Sequence, residues 1–199
     1  MIEAERKYIV PAPAALRRHL GELTKSRSLT YADTYFDHPN LNFIASESEL
    51  RIRVISGEHS NVETLLTFKG EIVDSETESK TEYEARLEDD PQKAVILLEA
   101  MGFERLVTFT KICDQYNFMY EGYQISATMV KVPEIDKNYL ELETLLEQVT
   151  EMTAALSMLS SLAARLGLRS IDETTEGYSD MVIRARSKDP HNHRGASSS

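Results

Sequence analysis

The chain has 199 residues, 41% hydrophobic and 28% charged, the composition of one soluble globular domain large enough to bury a core without covalent staples. A formal net charge of −11 excludes non-specific binding to nucleic acid or an anionic membrane, yet leaves room for a small anion held by a local cluster of cations. The single cysteine, Cys113, excludes an internal disulfide and fits a reducing compartment. No basic-then-apolar leader opens the sequence, and the longest apolar run, Ala94 to Leu98, is far too short for a bilayer span, so the expected location is cytoplasmic.

In chain order, residues 1–10 read as a strand with Glu3, Glu5 and Lys7 on one face and Ile2, Ala4, Tyr8 and Val10 on the other, where Arg6 is the one charge. Pro11 and Pro13 end it, and Ala14 to Leu23 has the leucine spacing of a short helix. Strands are predicted over Ser28–Asp37, Glu49–Ile55, Glu63–Lys69 and Lys80–Arg86, with an acidic loop from Glu71 to Glu78. Asp90-Pro91 opens a helix as N-cap and first helical residue, and Gly102 closes it. Phe103–Tyr120 and Tyr123–Val130 form a hairpin through Glu121-Gly122, and Asn138–Leu145 is the last strand. A helix follows over Thr150–Leu166 with Met152, Leu156, Leu159 and Ala163 in one stripe, then a short one near Gly177–Arg186. The domain is read as 1–186, with a disordered polar tail over 187–199.

The chemistry lies in the strand faces. Glu3, Glu5 and Lys7, then Arg51 and Arg53, Lys69, Glu82 and Glu84, Lys111, and Glu141 and Glu143 put charge at every second position of six strands, with apolar residues between. An open antiparallel sheet with one wet face gives the same alternation. The segregation of sign within strands favours an internal binding face, because acid–acid and base–base pairs repel unless an opposite charge lies between them. If the strands close into a barrel with these faces inward, the cations suit a polyanion such as a triphosphate. The carboxylates then require a divalent metal, and oxygen donors favour Mg²⁺ or Mn²⁺ over zinc. There is no glycine-rich phosphate loop.

Glu3-Ala-Glu5-Arg-Lys7 resembles the E-x-E-x-K signature of the CYTH superfamily, the triphosphate tunnel metalloenzymes. The runs Asp33-Thr-Tyr-Phe-Asp37, Glu49-Leu-Arg-Ile-Arg53, Thr67-Phe-Lys69-Gly70, Glu82-x-Glu84, Leu140-Glu-Leu-Glu143 and Tyr178-Ser-Asp180 resemble its later motifs, in order, over roughly residues 1 to 183. The resemblance implies an α+β fold, an eight-stranded antiparallel β-barrel forming a triphosphate tunnel flanked by α-helices. It further implies that Lys7, Arg51, Arg53, Lys69 and Lys111 bind substrate and that Glu3, Glu5, Glu141 and Glu143 hold Mg²⁺ or Mn²⁺. Glu82 and Glu84 would assist, with Lys7, Glu5 and Glu143 closest to the chemistry. The expected activity is hydrolysis of inorganic triphosphate or a related small-molecule triphosphate, with a homodimer plausible.

Two departures stand out. Lys111-Ile-Cys113 occupies the place where the family often has Lys-x-Arg, and Ile125-Ser-Ala-Thr128 ends in Thr where an Asp is usual. They motivate a binding-only module as one rival reading. A class IV adenylyl cyclase on the same scaffold is the other, although such cyclases often carry an aromatic stretch just upstream of E-x-E-x-K, for which the residues before Glu3 leave no space. Other features read as bland: Cys113 as a buried strand residue, Tyr31, Tyr35 and Phe36 as core, and His191 and His193 as part of the tail.

Overall fold

The computed structural model describes residues 2–40, 43, 45–46, 48–58, 60–72 and 80–188. Eight antiparallel strands close into a barrel: β1 (Ile2–Ile9), β2 (Arg27–Asp37), β3 (Glu49–Gly57), β4 (Ser60–Ile72), β5 (Lys80–Leu87), β6 (Glu104–Tyr120), β7 (Tyr123–Lys131) and β8 (Asn138–Leu146). The order around the barrel is β1-β5-β4-β3-β2-β6-β7-β8. Neighbours in sequence form β2-β3-β4-β5 and β6-β7-β8. Closure comes from three distant pairings, β2 with β6, β1 with β8 and β1 with β5. The β1–β5 seam is the thinnest, one register pair at Ile2 and Thr81. Glu121 (φ 49°) and Gly122 (φ 86°) turn the β6–β7 hairpin with both residues left-handed, the geometry that matches strand twist.

Four helices decorate the barrel: α1 (Pro13–Leu23), α2 (Pro91–Ala100), α3 (Met152–Arg165) and α4 (Tyr178–Lys188). α2 starts at Asp90, whose side chain accepts from the Gln92 amide at 3.0 Å, and ends before Gly102 at φ 95°. The apolar stripe Met152, Leu156, Leu159 and Ala163 packs against Ala4, Tyr8, Leu140 and Leu142, on the outer face of β1 and β8. Each fully buried leucine there contributes roughly 1.5–3 kcal/mol. Arg6, the charge on that apolar face, is resolved by α3: its Nε donates to the Leu156 carbonyl at 3.1 Å, and its guanidinium pairs with Glu173. α2 covers Phe36, Leu50 and Ile52 from outside. α4 differs from the others, since Tyr178, Met181 and Val182 pack among Leu29, Tyr31, Tyr35 and Phe109, inward residues of β2 and β6. It closes the barrel interior at that place.

The predicted elements match in type and order, with two main differences at boundaries. β4 runs through Ile72, so the first part of the expected acidic loop is strand, and residues 73–79 lie outside the described residues. α4 extends to Lys188 and so takes in the first two residues of the expected tail. The rest of that tail, with His191 and His193, lies outside the described residues as well. No helix among the described residues is long and apolar enough to cross a membrane.

Candidate active site

The inward strand faces enclose a cavity of about 670 Å³. Every charged residue predicted from the alternation lines it: Glu3, Glu5 and Lys7 from β1, Arg51 and Arg53 from β3, Lys69 from β4, Glu82 and Glu84 from β5, Lys111 from β6, and Glu141 and Glu143 from β8. Register explains the convergence. Glu5 lies opposite Glu143 and Lys7 opposite Glu141, so the acidic faces of β1 and β8 merge. Glu49 opposes Lys69, which opposes Glu82, and this joins β3 and β5 through β4.

All of these groups but Glu84 are buried or partly buried, and several neutralise one another. Lys69 contacts Glu3 directly and stands 3.8 Å from both Glu5 and Glu82. Burial works against its ammonium, but Glu3, Glu5 and Glu82 together hold its pKa well above the usual lysine value. Burial likewise pushes the Glu3 carboxyl up, and the Lys69 charge overrides it, bringing Glu3 down to about 2. Lys111 lies 3.5 Å from Glu141. Arg51 reaches Tyr35 Oη at 3.4 Å and Glu82 at 3.8 Å, but its Nε has no hydrogen-bond partner. Among the described residues, only that atom and the Tyr178 hydroxyl are buried side-chain polar atoms without a hydrogen bond of full geometry, and the Tyr178 hydroxyl lies beside Glu141. Such atoms are rare in folded proteins and mark places where an acceptor belongs.

The carboxylates test whether a divalent metal fits. Glu143 is pushed up to about 8, first by burial and then by the Glu3 and Glu141 charges beside it. A cation is what this crowding lacks, and hard oxygen donors are the ligands that Mg²⁺ and Mn²⁺ prefer. The donor set therefore fits in chemistry. It is not preassembled: among the described residues no group of three or more His, Cys, Asp or Glu is placed to hold a metal ion, and Lys69 occupies Glu3.

Several residues on or behind the cavity wall were not singled out by alternation. Asp33, fully buried, accepts from Arg53 Nε and Nη2, both at 2.7 Å, and so fixes the guanidinium that β3 sends inward. The sequence carries it only as the first residue of the Asp33-Thr-Tyr-Phe-Asp37 motif, with no role assigned. Lys80 and Glu49 pair at 2.7 Å on the cavity wall. The mixed signs of Lys80–Arg86 suggest the wettest strand, and only its second half behaves so, since Lys80 is buried while Glu84 and Arg86 are exposed. Tyr31 and Tyr35, expected as core, are both buried and on the cavity wall, whereas Phe36 packs outside beneath α2. Cys113 sits among Leu29, Val130 and Tyr31, so that an apolar side chain replaces the family cation there. Thr128, at the other departure, is buried opposite Glu141.

A family model described as the CYTH domain matches residues 1–178. Among solved structures, a protein of Pyrococcus horikoshii OT3 is 24% identical with a TM-score of 0.82, over 92% of this chain and 99% of that one. An adenylate cyclase candidate from Vibrio parahaemolyticus is 19% identical with a TM-score of 0.76, over 92% and 98%. HpAC1 from Hippeastrum, an adenylyl cyclase candidate described as revealing a dominant triphosphatase activity, is 19% identical with a TM-score of 0.60, over 94% and 96%. At these identities the likeness is one of fold. No curated protein sequence matches the chain.

Proposed function

The chain belongs to the CYTH domain family, and on that premise we propose that it is a metal-dependent hydrolase of triphosphates, either inorganic triphosphate or an organic triphosphate. CYTH proteins are triphosphatases or class IV adenylyl cyclases that use divalent metals. The observation that carries the reading is the convergence of Lys7, Arg51, Arg53, Lys69 and Lys111 on one enclosed cavity, where Arg51 Nε is buried without an acceptor. Phosphate oxygens are acceptors of the right charge, and a chain of three phosphoryl groups can engage cations spread over five strands.

Glu3, Glu5, Glu141 and Glu143 would hold the metal, which when bound supplies Lewis-acid neutralisation of phosphate charge. The side chains do the rest. Lys7, Arg51, Arg53, Lys69 and Lys111 bind and align the phosphates, with Asp33 keeping Arg53 in place. A water oxygen attacks the terminal phosphorus, the bridging P–O bond breaks, and its electron pair leaves on pyrophosphate. Glu5 accepts the water's proton, and the cations stabilise the charge that shifts onto the leaving group. Glu82 and Glu84 orient Lys69 and the rim. The substrate is a small molecule, since the chain's net charge of −11 disfavours a nucleic acid chain, and the assembly is proposed as a homodimer in the cytoplasm.

The test is orthophosphate release from tripolyphosphate in Mg²⁺, in Mn²⁺ and in EDTA. Turnover with metal and none in EDTA is expected, lost in Lys7→Ala and in Glu143→Ala while both remain folded. Undiminished rates in both variants would remove the site from consideration. The Vibrio and Hippeastrum relatives keep the cyclase reading in view, because the same grip on phosphates would serve attack by a ribose 3′-hydroxyl. Tight binding without turnover would favour the binding-only reading that Cys113 and Thr128 motivate.

A further inference from the structure

The motif Tyr178-Ser-Asp180 has no part in the hydrolysis described above, yet Gly177, Tyr178 and Ser179 form part of the cavity wall. Tyr178 opens α4 and is only 5% exposed. Its ring meets Tyr139 edge-on at 5.3 Å, and Tyr139 in turn donates its hydroxyl to Met181 Sδ, one turn along α4, at 3.0 Å. The ring is thereby held in one orientation. Lys111 Nζ stands 3.9 Å and Lys7 Nζ 5.0 Å from its centroid. An aromatic ring attracts ammonium groups, and this one draws two of them, both also within the field of Glu141. The phenol is a neutral hydrogen donor near neutral pH, as a tyrosine ordinarily is. Its hydroxyl is buried at the cavity wall beside Glu141, without a hydrogen bond of full geometry.

We infer that Tyr178 is a further substrate-binding residue: its hydroxyl donates to an oxygen of the phosphoryl group gripped by Lys7 and Lys111, and its ring sets the spacing of those two ammoniums. The inference rests on the triphosphate reading of the cavity and assigns a role to the start of α4. The competing use for the hydroxyl is Glu141, which already engages Lys111. In that arrangement Tyr178 would orient a metal ligand and not touch phosphate.

Calorimetric titration separates these. Tripolyphosphate is titrated into wild type, Tyr178→Phe and Tyr178→Leu with EDTA present, so that binding is read without turnover, and Mn²⁺ alone is titrated in parallel. Tyr178→Phe keeps the ring and should weaken tripolyphosphate about 10-fold, the usual effect of losing a hydrogen bond to a charged group. Its Mn²⁺ affinity should be unchanged. Tyr178→Leu, which also loses the ring beneath Lys7 and Lys111, should bind tripolyphosphate more weakly still. Unchanged tripolyphosphate binding by Tyr178→Phe overturns the inference, and so does a selective loss of Mn²⁺ binding, which would assign the hydroxyl to Glu141. Failure of the wild-type protein to bind tripolyphosphate with or without Mn²⁺ overturns the triphosphate reading itself, an outcome read before any variant is made.

Discussion

Replacing Asp33 by Ala should be among the most damaging changes in the barrel. Asp33 is fully buried, directly opposite Arg53 in the β2–β3 ladder, and takes two hydrogen bonds from its guanidinium at 2.7 Å. Arg53 also stacks over Tyr31, 4.6 Å from the ring centroid, so it is held in place and cannot swing to solvent. Removing the acid leaves that cation in the barrel without its closest counter-charge, a loss of about 3–5 kcal/mol. Against a domain stability of roughly 5–15 kcal/mol the loss is large. At about 2–4 °C per kcal/mol for a chain of this size, it lowers the melting temperature by roughly 6–20 °C. Circular dichroism melts and urea titrations measure it. Asp33→Ala combined with Arg53→Met should recover most of the loss, because a buried pair replaced by apolar groups is often near neutral. A single variant within about 1 kcal/mol of wild type, or a double variant no better than the single, would refute the reasoning. The pH dependence has a fixed sign. Burial pushes the Asp33 carboxyl up and Arg53 overrides it, holding it well below its usual 3.8. The pair's contribution is thus complete above about pH 4 and is lost as the pH falls through the lower folded value, a component that Asp33→Ala should lack.

Three more outcomes follow from the cavity and core. Lys69→Met frees Glu3 and Glu5 of the ammonium beside them, so Mn²⁺ without phosphate should bind at least about tenfold more tightly, measured from the resonance of free Mn²⁺. Lys80→Met, whose charge pairs with Glu49, should change that affinity much less, and equal effects would show that Lys69 does not compete directly. Without added metal, stability in urea should fall as the pH rises from about 5 to 8, because folded Glu143 keeps its proton to about 8 while the unfolded side chain releases it near 4.5. Glu143→Gln should flatten that slope, and a flat wild-type profile would contradict the crowding of carboxylates. Leu159→Ala, at a fully buried position of α3 against the barrel, should cost about 2–5 kcal/mol, and a cost below about 1 kcal/mol would show that α3 is loosely docked.

How far the sequence was legible depends on what each signal measures. Alternation reports which face a side chain takes, and it placed Glu3, Glu5, Lys7, Arg51, Arg53, Glu141 and Glu143 on the inner wall. It cannot report which strand lies alongside. The β2–β6, β1–β8 and β1–β5 pairings that close the barrel join residues far apart in the chain, and without the family resemblance an open sheet explained the same pattern. Asp33 was legible only as the first residue of the Asp33-Thr-Tyr-Phe-Asp37 motif, and its role was not, because its partner Arg53 is twenty positions away on the next strand. Lys80 was hidden by the mixed charges that follow it. Tyr178 sits on a helix, where strand periodicity says nothing, and only the packing of α4 into the barrel brings it to Lys7 and Lys111. Arg6 shows the reverse, a charge on an apolar face that looked misplaced until α3 supplied a carbonyl and the chain beyond it supplied Glu173.

The most direct test of the proposed activity is to give the purified protein tripolyphosphate and, separately, ATP, with Mg²⁺ or Mn²⁺, and to resolve every phosphorus-containing product by ³¹P NMR. Orthophosphate and pyrophosphate in equal amounts from tripolyphosphate, absent in EDTA, is the expected result. Cyclic AMP with pyrophosphate from ATP, or both substrates unchanged beside shifted resonances, would contradict a triphosphate hydrolase.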